Sequence, residues 1–154
     1  MSETSQKPQE GGQPAIQIHN QYIKDLSLEI PHAPEIFKNI KSQPAMKIDV
    51  DINVSPLENA FYNVELNFRI DGDVEDQKFF IVEMSYCGVV EIHVPEEHVQ
   101  PVLMVEVPHM LFPYARQAVS NVMFNGGLPP IMLNPIDFVA LYKARAQAET
   151  ATKN

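Results

Sequence analysis

Polar and apolar residues alternate most regularly over residues 46–54, where Lys47, Asp49, Asp51 and Asn53 separate Met46, Ile48, Val50, Ile52 and Val54. A period of two puts all five apolar side chains on one face of an extended chain, so a half-buried β-strand is expected. Tyr62, Val64, Leu66, Phe68 and Ile70 repeat the pattern against Asn63, Glu65, Asn67 and Arg69, and Asp71, Gly72 and Asp73 are then expected to turn the chain into a hairpin. Upstream, Leu26, Leu28 and Ile30 alternate with Asp25, Ser27 and Glu29. Ile16 and Ile18 can extend that strand, and Pro31 and Pro34 end it. The connection that follows, Glu35 to Ala45, holds Ile36, Phe37 and Ile40, which are unusual in a surface loop. Phe79 to Tyr86 is apolar on both faces and Val89 to Val94 alternates more loosely. A strand apolar on both sides needs cover on both, which makes Phe80, Val82, Met84 and Tyr86 candidate subunit-contact residues.

The period changes after residue 108. Leu111, Ala115, Ala118, Val119, Val122 and Met123 recur at helical spacing, with Arg116, Gln117, Ser120 and Asn121 on the other side. Pro108 and Pro113 suit an opening turn, and Asn125, Gly126 and Gly127 supply the left-handed conformation that ends a helix. Pro129 and Pro130 hold Leu128 to Leu133 extended. Asn134 is then expected to cap a second helix, with Pro135 at its first position and Asp137 in its first turn. Glu96 to Val107 is open between a short helix and a loop, because Pro101 and Pro108 bracket it. These elements give an α+β fold: a four-stranded antiparallel sheet in meander order with C-terminal helices packed on one face. Residues 15–147 form that domain, between a disordered arm at 1–14 and a disordered tail at 148–154.

The charge balance narrows the partners. Eleven basic against 20 acidic residues give 11 − 20 = −9, with no Lys/Arg cluster, so nucleic acid is not an expected partner and a basic protein surface is. The N-terminus has no basic-then-apolar leader and no apolar run approaches ~20 residues, so neither a secretion signal nor membrane insertion is expected. Cys87 is the single cysteine, which excludes an internal disulfide and suits a reducing cytoplasm. Without a basic neighbour in sequence it reads as a buried structural thiol. The six glycines fall at 11, 12, 72, 88, 126 and 127, so neither a GxxxxGK[ST] nor a GxGxxG nucleotide loop can be written. His93, Glu96, Glu97 and His98 resemble a zinc helix only superficially, since Pro95 interrupts the helix that would bring both histidines to one face. No GxSxG elbow pairs a nucleophile with His19, His32, His93, His98 or His109. Neither catalysis, a metal nor a cofactor is expected.

LFPYAR (residues 111–116), the Gly126-Gly127 and Pro129-Pro130 pairs, LNPIDF (133–138) and ALY (140–142) resemble the C-terminal signature of the SecB protein-export chaperone family. YIKDLSLEIPHAP (Tyr22 to Pro34) resembles that family's first strand and its proline-marked exit, and FFIVEMSYCGVV (Phe79 to Val90) a later strand. The resemblance implies an ATP-independent holdase of the bacterial cytoplasm that binds unfolded preproteins, delivers them to the SecA export ATPase and assembles as a homotetramer, a dimer of dimers. It places the SecA-docking face at Asp25, Glu29, Ile81 and Glu83. It also implies long apolar client grooves between the first-strand exit and the last helix, at Phe37, Ile40, Phe138, Leu141 and Tyr142, with Leu128 and Met132 on the floor.

Read without the family, the same residues are less specific. Asp25 and Glu29 lie ~13 Å apart on one side of a strand, an ordinary solvated face, and Glu83 shares parity with Phe79 and Ile81, an apolar setting. Phe138, Leu141 and Tyr142 suit the core face of any helix. The chain has no tryptophan, where members of the family it resembles often place one in the strand-one exit loop, and its ending AQAETATKN is nearly neutral, where theirs is often acidic. Two alternatives stay open: a SecB-like chaperone dedicated to an antitoxin, and a small α+β ligand-binding domain or enzyme with a pocket between helix and sheet.

Overall fold

The computed structural model describes residues 12–38 and 40–153. Of the arm expected at 1–14, residues 12–14 have no regular structure and the rest lie outside the described residues. Alternation produces four antiparallel strands: β1 (Ile16–Glu29), β2 (Ala45–Pro56), β3 (Phe61–Val74) and β4 (Gln77–Ile92). The last of these unites the two apolar stretches at Phe79 to Tyr86 and Val89 to Val94 in one continuous strand.

The sheet runs β1-β4-β3-β2. Meander order holds for β2, β3 and β4, but β1 lies against β4 at the far edge instead of beside β2. The cause is the connection over residues 30–44. Three prolines and a 3-10 turn at Glu35–Lys38 make it too stiff for a hairpin, and it carries the chain across the sheet in a Greek-key path.

The β3–β4 turn falls at Glu75 and Asp76, whose φ angles are +49° and +63°, and Asp71 to Asp73 remain inside β3. Gly72 is there for contact, not for turning: a Cβ on it would come within 2.2 Å of the Phe80 ring. Register shifts at Phe79 in β4, and at His19 and Lys24 in β1, each insert one residue and change which face the neighbours point to.

Helix begins earlier than the periodicity suggests, at Glu96. It runs through α1 (Glu96–Pro101), a π-helical turn (Val102–Glu106) and α2 (Val107–Asn125). The wider turn precedes Pro108, whose missing N–H would otherwise break the α-helical ladder. At the far end Gly127, with φ +83°, supplies the left-handed step. The last helix, α3 (Phe138–Thr152), is capped by Asp137, not Asn134: the Asp137 carboxylate accepts from the Ala140 N–H at 2.9 Å. It continues through residues 148–152, where a disordered tail is expected from the sequence.

The core lies between α2 and one face of the sheet. Val64, Leu66, Ile70 and Val82 meet Leu111, Ala115, Val119 and Met123, all buried. A fully buried side chain of this size stabilises by about 1.5–3 kcal/mol. Phe80, Val82, Met84 and Tyr86 belong to it, which corrects their reading as a surface between subunits: within one chain they are buried on the helix side. The opposite face is polar. No helix among the described residues is long and apolar enough to cross a membrane.

Candidate functional site

Two features on opposite sides of the sheet stand apart from ordinary packing. On the helix side a groove of about 600 Å³ lies between the β1–β2 connection, the start of β2 and the stretch that follows α2. Phe37, Ile40, Pro44, Met46, Phe79 and Ile131 supply apolar walls, and Lys41, Ser42 and Gln43 add polar lining. Phe37 is 46% exposed and Met46 49%. Phe37 stands edge-on to Phe79 at 6.0 Å, and Phe79 edge-on to Phe80 at 5.8 Å, a stepped aromatic wall. The bulge at Phe79 makes this possible, because it lets two successive phenylalanines in one strand both contribute to the groove. Prolines at 44 and 129 keep the rims extended.

The groove residues expected from the sequence separate into several environments. Phe37, Ile40 and Leu128 line this groove, with Leu128 buried beneath it. Phe138 does not: it is 0% exposed, packed edge-on against His109 at 5.1 Å and Phe112 at 6.1 Å, and is core. Leu141 is half-buried against the core, and Met132 is 63% exposed and outside the lining. Tyr142 lines a second cavity, about 680 Å³, formed with Ile52, Val54, Tyr62, Met104 and Arg145. Arg145 fixes α3 over this cavity by donating from Nη1 to the Ile52 carbonyl at 2.5 Å. Met46, Phe79 and Ile131 escaped the sequence reading. Met46 had a usable signal, an apolar residue opening a strand just after Pro44.

On the polar side the register brings the four expected docking residues together. Glu29 stands opposite Ile81, Ser27 opposite Glu83 and Asp25 opposite Ser85, so Asp25, Glu29, Ile81 and Glu83 share a face. The three carboxylates are exposed and Ile81 is half-buried. Glu83 is not in an apolar setting, because the bulge takes Phe79 off that face. Its neighbour across β3 is Arg69, whose Nη1 donates to the Glu83 carboxylate. Arg69 also donates from Nε and Nη2 to Asp71 at 3.0 and 3.2 Å, and Lys78 reaches Asp71 at 3.0 Å and Asp73 at 2.9 Å. Asp71 is only 7% exposed. Burial works to raise its pKa, but hydrogen bonds from Lys78 and Arg69 hold the carboxyl below the usual carboxylate range. Among the described residues no cation stands within ion-pair distance of Asp25 or Glu29.

Cys87 is buried, and that burial raises its thiol pKa, which disfavours the thiolate a nucleophile needs. His93 and His19 both hydrogen-bond the Glu91 carboxylate, at 2.6 and 2.8 Å, and hold its pKa down. Among the described residues no group of three or more His, Cys, Asp or Glu is placed to hold a metal ion.

The sequence model of the family described as preprotein translocase subunit SecB matches residues 9–149. A protein-export protein SecB of Rhodospirillum rubrum is 43% identical over 148 residues, covering 96% of this chain and 92% of that protein. The protein of the same name from Paramagnetospirillum magneticum is 45% identical over 134 residues, 86% of each chain. Among solved structures, a SecB-like chaperone of Mycobacterium tuberculosis in complex with an antitoxin peptide superposes with a TM-score of 0.67 at 15% identity. That match covers 79% of this chain and 91% of the mycobacterial one, and it shows a shared fold.

Proposed function

The chain belongs to the SecB family of protein-export chaperones, and on that premise we propose that it captures non-native preproteins in the 600 Å³ groove and presents them to SecA through the polar sheet face. The single observation that carries this reading is the separation of the two surfaces. An exposed aromatic and methionine wall opens on the helix side, and Asp25 and Glu29, without a cation in ion-pair distance among the described residues, stand on the other. A client in the groove therefore leaves the docking face free.

Flexible Met and open Phe side chains can repack against many sequences, which suits clients with no common motif. Binding only the non-native form draws the client's folding equilibrium toward it by mass action, so neither nucleotide nor a catalytic residue is required. The resemblance places the family's SecA docking at these four positions, and three exposed carboxylates beside a half-buried Ile81 on one face support the same use here. A cytoplasmic homotetramer completes the reading. Several modest grooves engaging one long client would raise avidity by roughly two orders of magnitude or more.

The test is a refolding assay with a slow-folding precursor at near-stoichiometric chaperone, without ATP, beside size-exclusion with light scattering. The expected result is delayed refolding by a tetramer. A monomer that leaves refolding unchanged would refute both holding and assembly, and saturable binding of one small molecule would favour a ligand-binding domain.

A further inference from the structure

Resting on the docking reading above, the ion pairs of the polar face carry one step more. Arg69 sits in the middle of a row across the sheet, with Glu83 paired to it on β4 and Asp49 on β2. It borders a hollow of about 320 Å³ that Asp25, Asp49, Asp51 and Glu83 also line. Its guanidinium cannot swing aside freely. Two of its nitrogens are held by Asp71, which is itself buried and braced by Lys78, and the third engages Glu83. The face thus has two kinds of carboxylate: Glu83, already neutralised by a fixed cation, and Asp25 and Glu29 on β1, with none among the described residues.

We infer that Arg69 is a specificity-determining residue of the docking face, a resident cation that competes with the basic groups of the partner for Glu83. An incoming lysine or arginine that approaches the centre of the sheet meets Arg69 before it gains Glu83, and like charges brought together lower affinity. A partner whose cations align with the Asp25-to-Glu29 end of β1 meets carboxylates that no cation engages among the described residues, Lys24 being turned to Glu65 at 3.2 Å. Arg69 therefore selects for partners that engage the β1 edge and weakens those that rely on the sheet centre.

The experiment measures the Kd of purified SecA for wild type, Arg69→Gln, Arg69→Lys, Arg69→Gln/Glu83→Gln and Asp25→Asn/Glu29→Gln, at low and at physiological salt. Arg69→Gln is expected to tighten docking about two- to fivefold at low salt, the range an exposed ion pair spans. The gain is expected to shrink at physiological salt, to vanish in the Arg69→Gln/Glu83→Gln double variant, and to be absent in Arg69→Lys. Unchanged or weaker docking by Arg69→Gln would overturn the inference. Should loss of the Asp71 partner unfold that variant, Arg69→Gln/Asp71→Asn removes the buried carboxylate then left to Lys78 alone and carries the same test with the same direction. If Asp25→Asn/Glu29→Gln leaves SecA affinity unchanged, the docking reading itself falls. If it weakens docking while Arg69→Gln does not tighten it, only the role of Arg69 falls.

Discussion

The groove and the polar face are built on the same four strands yet hold their side chains in opposite ways. In the groove Phe37 and Met46 are half in solvent and no polar partner fixes them, so each can move to meet what arrives. On the polar face Arg69, Asp71, Lys78, Asp73 and Glu83 form a connected set of ion pairs around a buried carboxylate. Under the proposed function, softness would let one surface accept many sequences and fixed charge would let the other reject most of them. A carrier that takes varied cargo to a single destination needs both, and the sheet keeps them apart by giving each its own side.

The boundary between groove and core is where the comparison is easiest to break. Phe138→Ala removes a fully buried ring under α2 and is expected to cost about 3–5 kcal/mol in chemical denaturation, whereas Phe37→Ala, on the groove wall, is expected to cost less than about 1 kcal/mol. Equal losses would mean that the groove wall is structural. Gly72→Val drives a side chain into the Phe80 ring beneath the groove, with an expected destabilisation of about 1–3 kcal/mol in the same assay.

Docking should respond to charge and holding should not. Asp25→Asn/Glu29→Gln is expected to weaken SecA binding by roughly tenfold at low salt and to leave refolding delay unchanged, checked by titration and by the refolding assay. The smallest effect concerns acid. The Asp71 carboxyl is held below its usual range in the fold, so its contribution is fully present above the unfolded value of about 4 and is lost as pH falls through the folded one. Wild type should therefore lose more stability between about pH 5 and 3 than Asp71→Asn, measured by denaturant midpoint at each pH.

Much of this architecture was legible because burial on one face writes itself as a period. The alternation from Met46 to Val54 marks β2, and the matching parity of Asp25, Ser27 and Glu29 puts the two β1 carboxylates on one side. That parity survived because the bulge at Lys24 lies upstream of all three. The neighbour of Glu83 was misread for the converse reason, since the bulge at Phe79 shifts the phase and no local signal marks it. Helix over residues 96–107 was obscured by Pro101 and Pro108, which a π-helical turn accommodates in a way that propensity alone does not register. The pairing of β1 with β4 is a tertiary choice: it depends on where a stiff, proline-rich crossover can deliver the chain. Phe138 is a groove residue only by the family resemblance; its apolar helix face suits a core or a client equally, and the rings of His109 and Phe112 decide for the core.

The most direct trial of soft capture is the refolding delay imposed by Phe37→Ser/Met46→Ser beside wild type, with melting temperatures compared in parallel. The expected result is a delay largely abolished while the melting temperature stays within a few degrees of wild type and SecA affinity is unchanged. A double variant that holds the precursor as long as wild type does would show that capture happens elsewhere on the molecule.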